Sequence, residues 1–169
     1  MSGRKPRICV LTARGFSHEA LMAGVYEAED ILVEVDDAEL IYLKPRRGYE
    51  FRQRTHARLV WHDFTKSLAF ANMAFEPVNL TKEYDLLVIY IPYQIDHLLH
   101  VAAVRSWKNY CRTSVCWIDE MFATHIPRLR YWLPALTQFD HVVVGYSGSV
   151  RALTRAISRR VPIRRNGEG

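Results

Sequence analysis

An apolar run that ends in two carboxylates, TSVCWIDE (residues 113–120), is the most chemically charged stretch of the sequence. Asp119 and Glu120 follow a segment suited to burial, so carboxylates are delivered to a strand end. There a carboxylate can accept a proton from a sugar hydroxyl or hold a pair of substrate hydroxyls. The same residues can instead cap a following helix. Three other short segments mix turn residues with polar groups: RGFSH (14–18), PYQID (92–96) and YSGS (146–149). From them Arg14, Gly15, Phe16, His18, Tyr93, Gln94, Ser147 and Ser149 are candidate contacts to a polyhydroxylated or phosphorylated ligand. Singly, each segment reads as an ordinary turn or cap; their joint position gives them weight.

Other signals are weaker. DHLLH sets His97 and His100 three apart beside Asp96, but a metal would need a third ligand from elsewhere, and no metal site is expected. The first loop has one glycine, so it lacks the G-x-G-x-x-G turn that brings a pyrophosphate to a helix N-terminus. No bound cofactor is expected. Residues 44–58 interleave Lys44, Arg46, Arg47, Arg52, Arg54 and Arg58 with Tyr49 and Phe51. That composition suits a solvated loop, a single-stranded nucleic acid or an anionic surface.

These groups need elements to position them. Residues 7–13, 84–92, 113–120 and 141–147 read as continuous apolar, β-branched runs, the pattern of strands buried on both faces of a parallel sheet. Residues 38–45 read as a further strand. Between them lie helical spacings: Ala20, Leu21, Gly24, Val25 and Ala28 after Ser17; an apolar segment over 59–75; Leu98, Val101, Ala102 and Trp107; and a stretch interrupted by Pro134. A last helix has Val150, Leu153 and Ile157 inward and Arg151, Arg155 and Arg159 outward. Strand–helix alternation predicts an α/β, Rossmann-like, mainly parallel sheet with helices on both faces. In such sheets ligands bind beyond the carboxyl ends of the strands.

The 169 residues suit a single domain, and apolar and charged fractions of 49% and 24% are those of a globular protein. No apolar run reaches the roughly 18–20 residues that span a bilayer. Cys9, Cys111 and Cys116 are odd in number and form no C-x-x-C pair, which points to a reducing, cytoplasmic setting. The net charge of +5 falls wholly beyond residue 150, where six arginines face Glu168 alone.

Taken together, the motifs resemble the N-terminal, acceptor-side domain of GT-B glycosyltransferases, in particular the retaining group that uses nucleotide-sugars. The family has a strand of the form D-V-V-H-V-H-x-P; Asp85 to Pro92 match its Asp, its apolar positions and its Pro, with Val88 and Tyr90 at the two histidine positions. The family pattern A-D-x-V-I-A-V-S followed by a helical Leu is similar to FDHVVVGYSGSVRAL, through Asp140, Val142, Val143, Val144, Ser147 and Leu153. VPIRRNGEG resembles the short strand and N-G turn that open the family's second domain. The sequence departs from the family at Arg14-Gly15, where a glycine pair is common, and at Asp119-Glu120, where many members carry a histidine.

The resemblance implies that residues 1–169 form one Rossmann-like domain, half of a GT-B architecture, without the C-terminal domain that grips the donor. It assigns Asp119 and Glu120 to catalysis and the loop residues named above to acceptor binding. The donor substrate would be a nucleotide-sugar and the acceptor a sugar or glycolipid. The chain alone would be inactive or nearly so, completed by a separate donor domain or paired with a second copy, with Phe16, Tyr93, Met121 and Phe122 exposed at the cleft. It could lie at a membrane surface through residues 44–58. Two other functions compete: a non-catalytic module for a sugar, lipid head group or protein, and a phosphate or nucleic-acid binder using 44–58 and the arginine-rich tail. Nucleic acid is the less favoured partner.

Overall fold

Apolar runs with no polar alternation must be covered on both faces, and the computed structural model shows how. It describes residues 4–12, 14, 23–47, 75–91, 99–129 and 133–158. The helix expected over 59–75 and the VPI strand lie outside the described residues. The elements are, in order, β1 (Ile8–Thr12), α1 (Ala23–Asp36), β2 (Glu39–Tyr42), β3 (Val78–Asn79), β4 (Tyr84–Ile91), α2 (Leu99–Ala103) and β5 (Val104–Arg105). Then follow α3 (Trp107–Tyr110), β6 (Cys111–Ile118), a 3-10 turn (Ile126–Leu129), α4 (Leu133–Leu136), β7 (His141–Val144) and α5 (Ser147–Ser158).

Five strands form one sheet in the order β2-β1-β4-β6-β7, and every neighbouring pair is parallel. The sheet is α/β and Rossmann-like, as the alternation predicts. The chain goes from β1 to β2 on one side and places β4 on the other side of β1. The sheet therefore switches direction between β1 and β4, the crevice where open α/β sheets take ligands.

Successive strand residues point to opposite faces, and the core divides accordingly. Ile8, Val10 and Val88 pack with Ala38 under Leu32 of α1. Cys9, Leu11, Leu87, Ile89, Cys116 and Ile118 face the other way, into a larger cluster with Leu133, Leu136 and Leu153 of α4 and α5. All three cysteines are free and buried. Among the described residues no helix is long and apolar enough to cross a membrane.

The two aspartates that carry the family resemblance hold strands together. Asp85 Oδ2 accepts the Arg7 N–H at 2.8 Å, latching β4 to the chain entering β1. Asp140 Oδ2 accepts both the N–H and the hydroxyl of Ser114 at 2.8 Å, latching β7 to β6. These hydrogen bonds favour the ionised form. The Arg7 amide holds Asp85 below the usual aspartate value, and Ser114 does the same to Asp140. Ser114 is buried, so Ser114→Ala should cost about 1 kcal/mol at pH 7 by urea denaturation. Because the folded Asp140 value is depressed, this contribution is present above the unfolded value, about 3.9, and is lost as pH falls through the folded one. An equal deficit at pH 7 and at pH 2.5 would contradict the latch.

Three expectations need correcting. The helix expected through Leu98, Val101, Ala102 and Trp107 is broken: Val104–Arg105 leave α2 to pair with Val78–Asn79 as a small parallel sheet, and Ser106 turns at φ 57° before α3 begins. The inward face of α5 carries Ser149 and Leu153, while Val150 is 45% exposed. A serine can occupy that buried position because its hydroxyl donates to the Met121 carbonyl. Met121 itself is enclosed in the main core and not exposed at a cleft.

Candidate ligand-binding edge of the sheet

The parallel arrangement brings the carboxyl ends of β1, β4, β6 and β7 to one edge, as the buried runs predict. Asp119 stands at the end of β6. Its N–H donates to the Ile91 carbonyl at 2.9 Å, extending the ladder to β4, and the Gly145 N–H donates to the Ile118 carbonyl at 2.9 Å. Gly145 fits because it has no side chain: a Cβ there would lie 2.5 Å from the Asp119 carbonyl oxygen and 3.1 Å from its Oδ1. The close approach of β7 thus fixes the backbone that presents the Asp119 carboxylate.

Across the β4–β6 rung, Tyr90 pairs with Trp117. Their rings stack at 5.7 Å with 21° between planes. Burial raises the Tyr90 hydroxyl above its ordinary value, and the charge and hydrogen bond of Asp119 raise it further. The phenol therefore stays protonated beside the carboxylate. Phe122 and Tyr146 stack at 5.3 Å nearby. Phe122, Tyr146 and Trp117 are each more than 40% exposed, so this end of the sheet offers ring surface beside an exposed carboxylate. Glu120 is exposed and has no ion-pair partner among the described residues.

At the end of β1 the chemistry is inward. Glu29, from α1, is 2% exposed. Its Oε2 accepts the Thr12 hydroxyl at 2.8 Å and the Arg14 Nε–H at 2.8 Å. Arg14 also donates through Nη2 to the Tyr26 carbonyl, reaches Asp30 through Nη1 at 2.9 Å, and lies 4.9 Å over the Tyr26 ring. Its backbone N–H donates to Thr12 Oγ1 at 3.0 Å. Burial pushes the Glu29 carboxyl up, opposed by the hydrogen bonds from Arg14 and Thr12. Burial pulls the Arg14 guanidinium down, but Asp30 and Glu29 outweigh it and leave Arg14 above its usual value.

The expected site residues thus fall into groups. Asp119, Glu120 and Ser147 are exposed at the carboxyl edge. Arg14 is there too, with its guanidinium engaged by α1. Ser149 is enclosed, its hydroxyl held by Met121. Gly15, Phe16, His18, Tyr93 and Gln94 lie outside the described residues, as does His97. His100 meets Phe75 edge-on at 5.2 Å. Among the described residues no cluster of three His, Cys, Asp or Glu could hold a metal ion. Of the residues that sequence reasoning missed, Glu29 left a signal: with Val25 and Leu32 it shares a helical stripe, an acid where an apolar residue is expected. The Tyr90–Trp117 stack required the β4–β6 register.

No family model, no curated protein and no solved structure matches the chain.

Proposed function

We propose that the chain supplies the acceptor-side surface of a glycosyltransferase that uses a nucleotide-sugar, with donor contacts coming from a second Rossmann-like unit in the same or another polypeptide. The observation that carries this reading is the exposed Asp119 carboxylate at the end of β6, near the Tyr90 hydroxyl and the exposed rings of Trp117, Phe122 and Tyr146. A carboxylate binds sugar hydroxyls and can take the proton of the attacking one; ring faces cover the apolar C–H faces of a pyranose. Glu120 is the second candidate base. Stabilisation of the leaving diphosphate falls to the donor unit.

Two measurements test this. In an amide NMR titration with simple glycosides, the signals of Asp119, Glu120, Gly145 and Ser147 should shift, with little dependence on salt, and Asp119→Asn should weaken binding about tenfold, the worth of one charge-assisted hydrogen bond. A nucleotide-sugar turnover assay on this chain by itself should show no robust activity. Glycosides that leave those amides unmoved would overturn the proposal. A non-catalytic sugar-binding module is the second reading, favoured by the engagement of Arg14 and Ser149 within the fold. It predicts the same titration but no turnover when a donor unit is added. Phosphate or nucleic-acid binding through residues 44–58 and the arginine-rich tail would weaken steeply with salt. Residues 48–58 and 159–169 lie outside the described residues, and Lys44, Arg46, Arg47, Arg151 and Arg155 are exposed.

A further inference from the structure

A second concave region lies at the opposite, amino edge of the sheet, where two clefts share Lys108. The first, about 540 Å³, is walled by Val101, Val104, Trp107 and Phe139, with Arg105 and Gln138 also lining it. Its two rings stack at 5.5 Å with 21° between planes. The second, about 510 Å³, opens beside the starts of β1, β4 and β6, among Arg4, Arg7, Arg112, Glu83 and Asp85. The Lys108 ammonium stands 5.4 Å over the Trp107 ring.

Charge around these clefts is not balanced. Asp85 is already engaged by the Arg7 amide, and Arg4 reaches it only at 3.8 Å. Arg7 reaches Glu83 only at 4.0 Å. Arg105, Lys108 and Arg112 have no carboxylate within ion-pair distance among the described residues. Clustered cations of one sign concentrate anions. Ser106, between Arg105 and Trp107, is held at φ 57° and its side chain makes no cap hydrogen bond. A left-handed non-glycine residue costs about 1 kcal/mol or more and tends to mark functional sites.

We infer that this edge binds an amphipathic anion: a phosphate monoester whose flat or apolar body enters the Trp107–Phe139 cleft while Lys108, with Arg4, Arg7 and Arg112, holds the phosphate. The apolar cleft alone would take a neutral molecule, and the cationic cleft alone a free ion; their junction at Lys108 selects a ligand carrying both parts. Several cations lining one cleft match the multiple acceptor oxygens of a phosphate better than a carboxylate. The site is separate from the Asp119 edge, and its function does not depend on the sugar-transfer proposal.

Calorimetric titration of the full chain with AMP, with dihexanoyl phosphatidic acid below its micelle concentration, and with inorganic phosphate tests this. One of the two esters should bind at least tenfold more tightly than phosphate, and the tighter one says whether the body is a base or an acyl chain. Lys108→Ala, at an exposed position, should weaken the ester about tenfold. Gln138→Trp, filling the apolar cleft from its exposed rim, should weaken the ester but not phosphate. Phosphate binding as tightly as both esters, no binding of either ester at millimolar concentration, or an affinity indifferent to Lys108→Ala would overturn the inference.

Discussion

Arg14→Ala should destabilise the protein by about 3 kcal/mol at neutral pH, the usual cost of leaving a buried charge without its partner. The charge left behind is Glu29, 2% exposed, with only the Thr12 hydroxyl still bound to it. The loss should depend on pH in a stated direction. Burial already holds the Glu29 carboxyl above its ordinary value, and Arg14 is the main group opposing that shift; without Arg14 the folded value climbs further. For a raised carboxyl, stability is fully present below the unfolded value, about 4.3, and is lost as pH rises through the folded one. Denaturant unfolding of wild type and variant should therefore give a small difference near pH 4 and the full one near pH 8. Adding Glu29→Gln to Arg14→Ala should recover much of the pH 8 loss by removing the stranded charge. A difference that is the same at both pH values would mean that Glu29 is not what Arg14 holds in place.

Gly145→Ala is the second large effect. The added methyl would meet the Asp119 carbonyl oxygen at 2.5 Å, and because that atom is backbone, no side chain can rotate aside. Either β7 withdraws from β6 or the Asp119 backbone shifts, at a cost of about 3 kcal/mol. Gly148→Ala is the control. Nothing lies within 4 Å of a Cβ there, and alanine favours the helix, so stability should be unchanged or raised by about 0.5 kcal/mol. Thermal unfolding of the two variants gives the comparison, and the Asp119 amide shift in Gly145→Ala reports whether the carboxylate has moved. If both substitutions cost the same, the close approach at Gly145 is not what shapes this edge.

The strands were legible because burial leaves an apolar signature, and β1 carries it in full. By contrast, β4 is only partly buried at Asp85, Leu86 and Tyr90, β6 exposes Arg112 and Trp117, and the edge strand β7 exposes His141 and Val143. The strand order was not legible, since period-2 burial says nothing about which neighbour a strand takes. Helix boundaries failed where tertiary pairing overrode spacing: Val104 follows a helical stripe, yet its backbone pairs with Val78. Val150 failed for a different reason. Apolar residues vote for the inward face of α5, but Ser149 takes that place through its hydrogen bond to Met121, turning the helix away from the face that hydropathy alone selects. Of the candidate site, Asp119 could be read as an acid at the end of an apolar run. Glu29 could not be matched to Arg14, because the two meet only when α1 folds back on β1.

The strand order also has a kinetic side. Pairing β4 with β6 joins Tyr84 to Cys111, closing a loop of roughly 27 residues, whereas pairing β1 with β4 joins Ile8 to Leu86 across roughly 78; by loop-closure entropy the first is cheaper by about 0.9 kcal/mol. The β4–β6 ladder, and the β1–β2 ladder that joins Cys9 to Glu39 across roughly 30 residues, are thus favoured to form first, with the β1–β4 joint closing late. On a ribosome the difference is sharper. The most thoroughly buried strand of the sheet is also the first made, and Ile8, Val10 and Leu11 can meet β2 early but must wait for the synthesis of β4 before their second neighbour exists. Throughout that interval the nascent chain carries a strand built for burial with one edge still open, and that is where a chaperone would be needed.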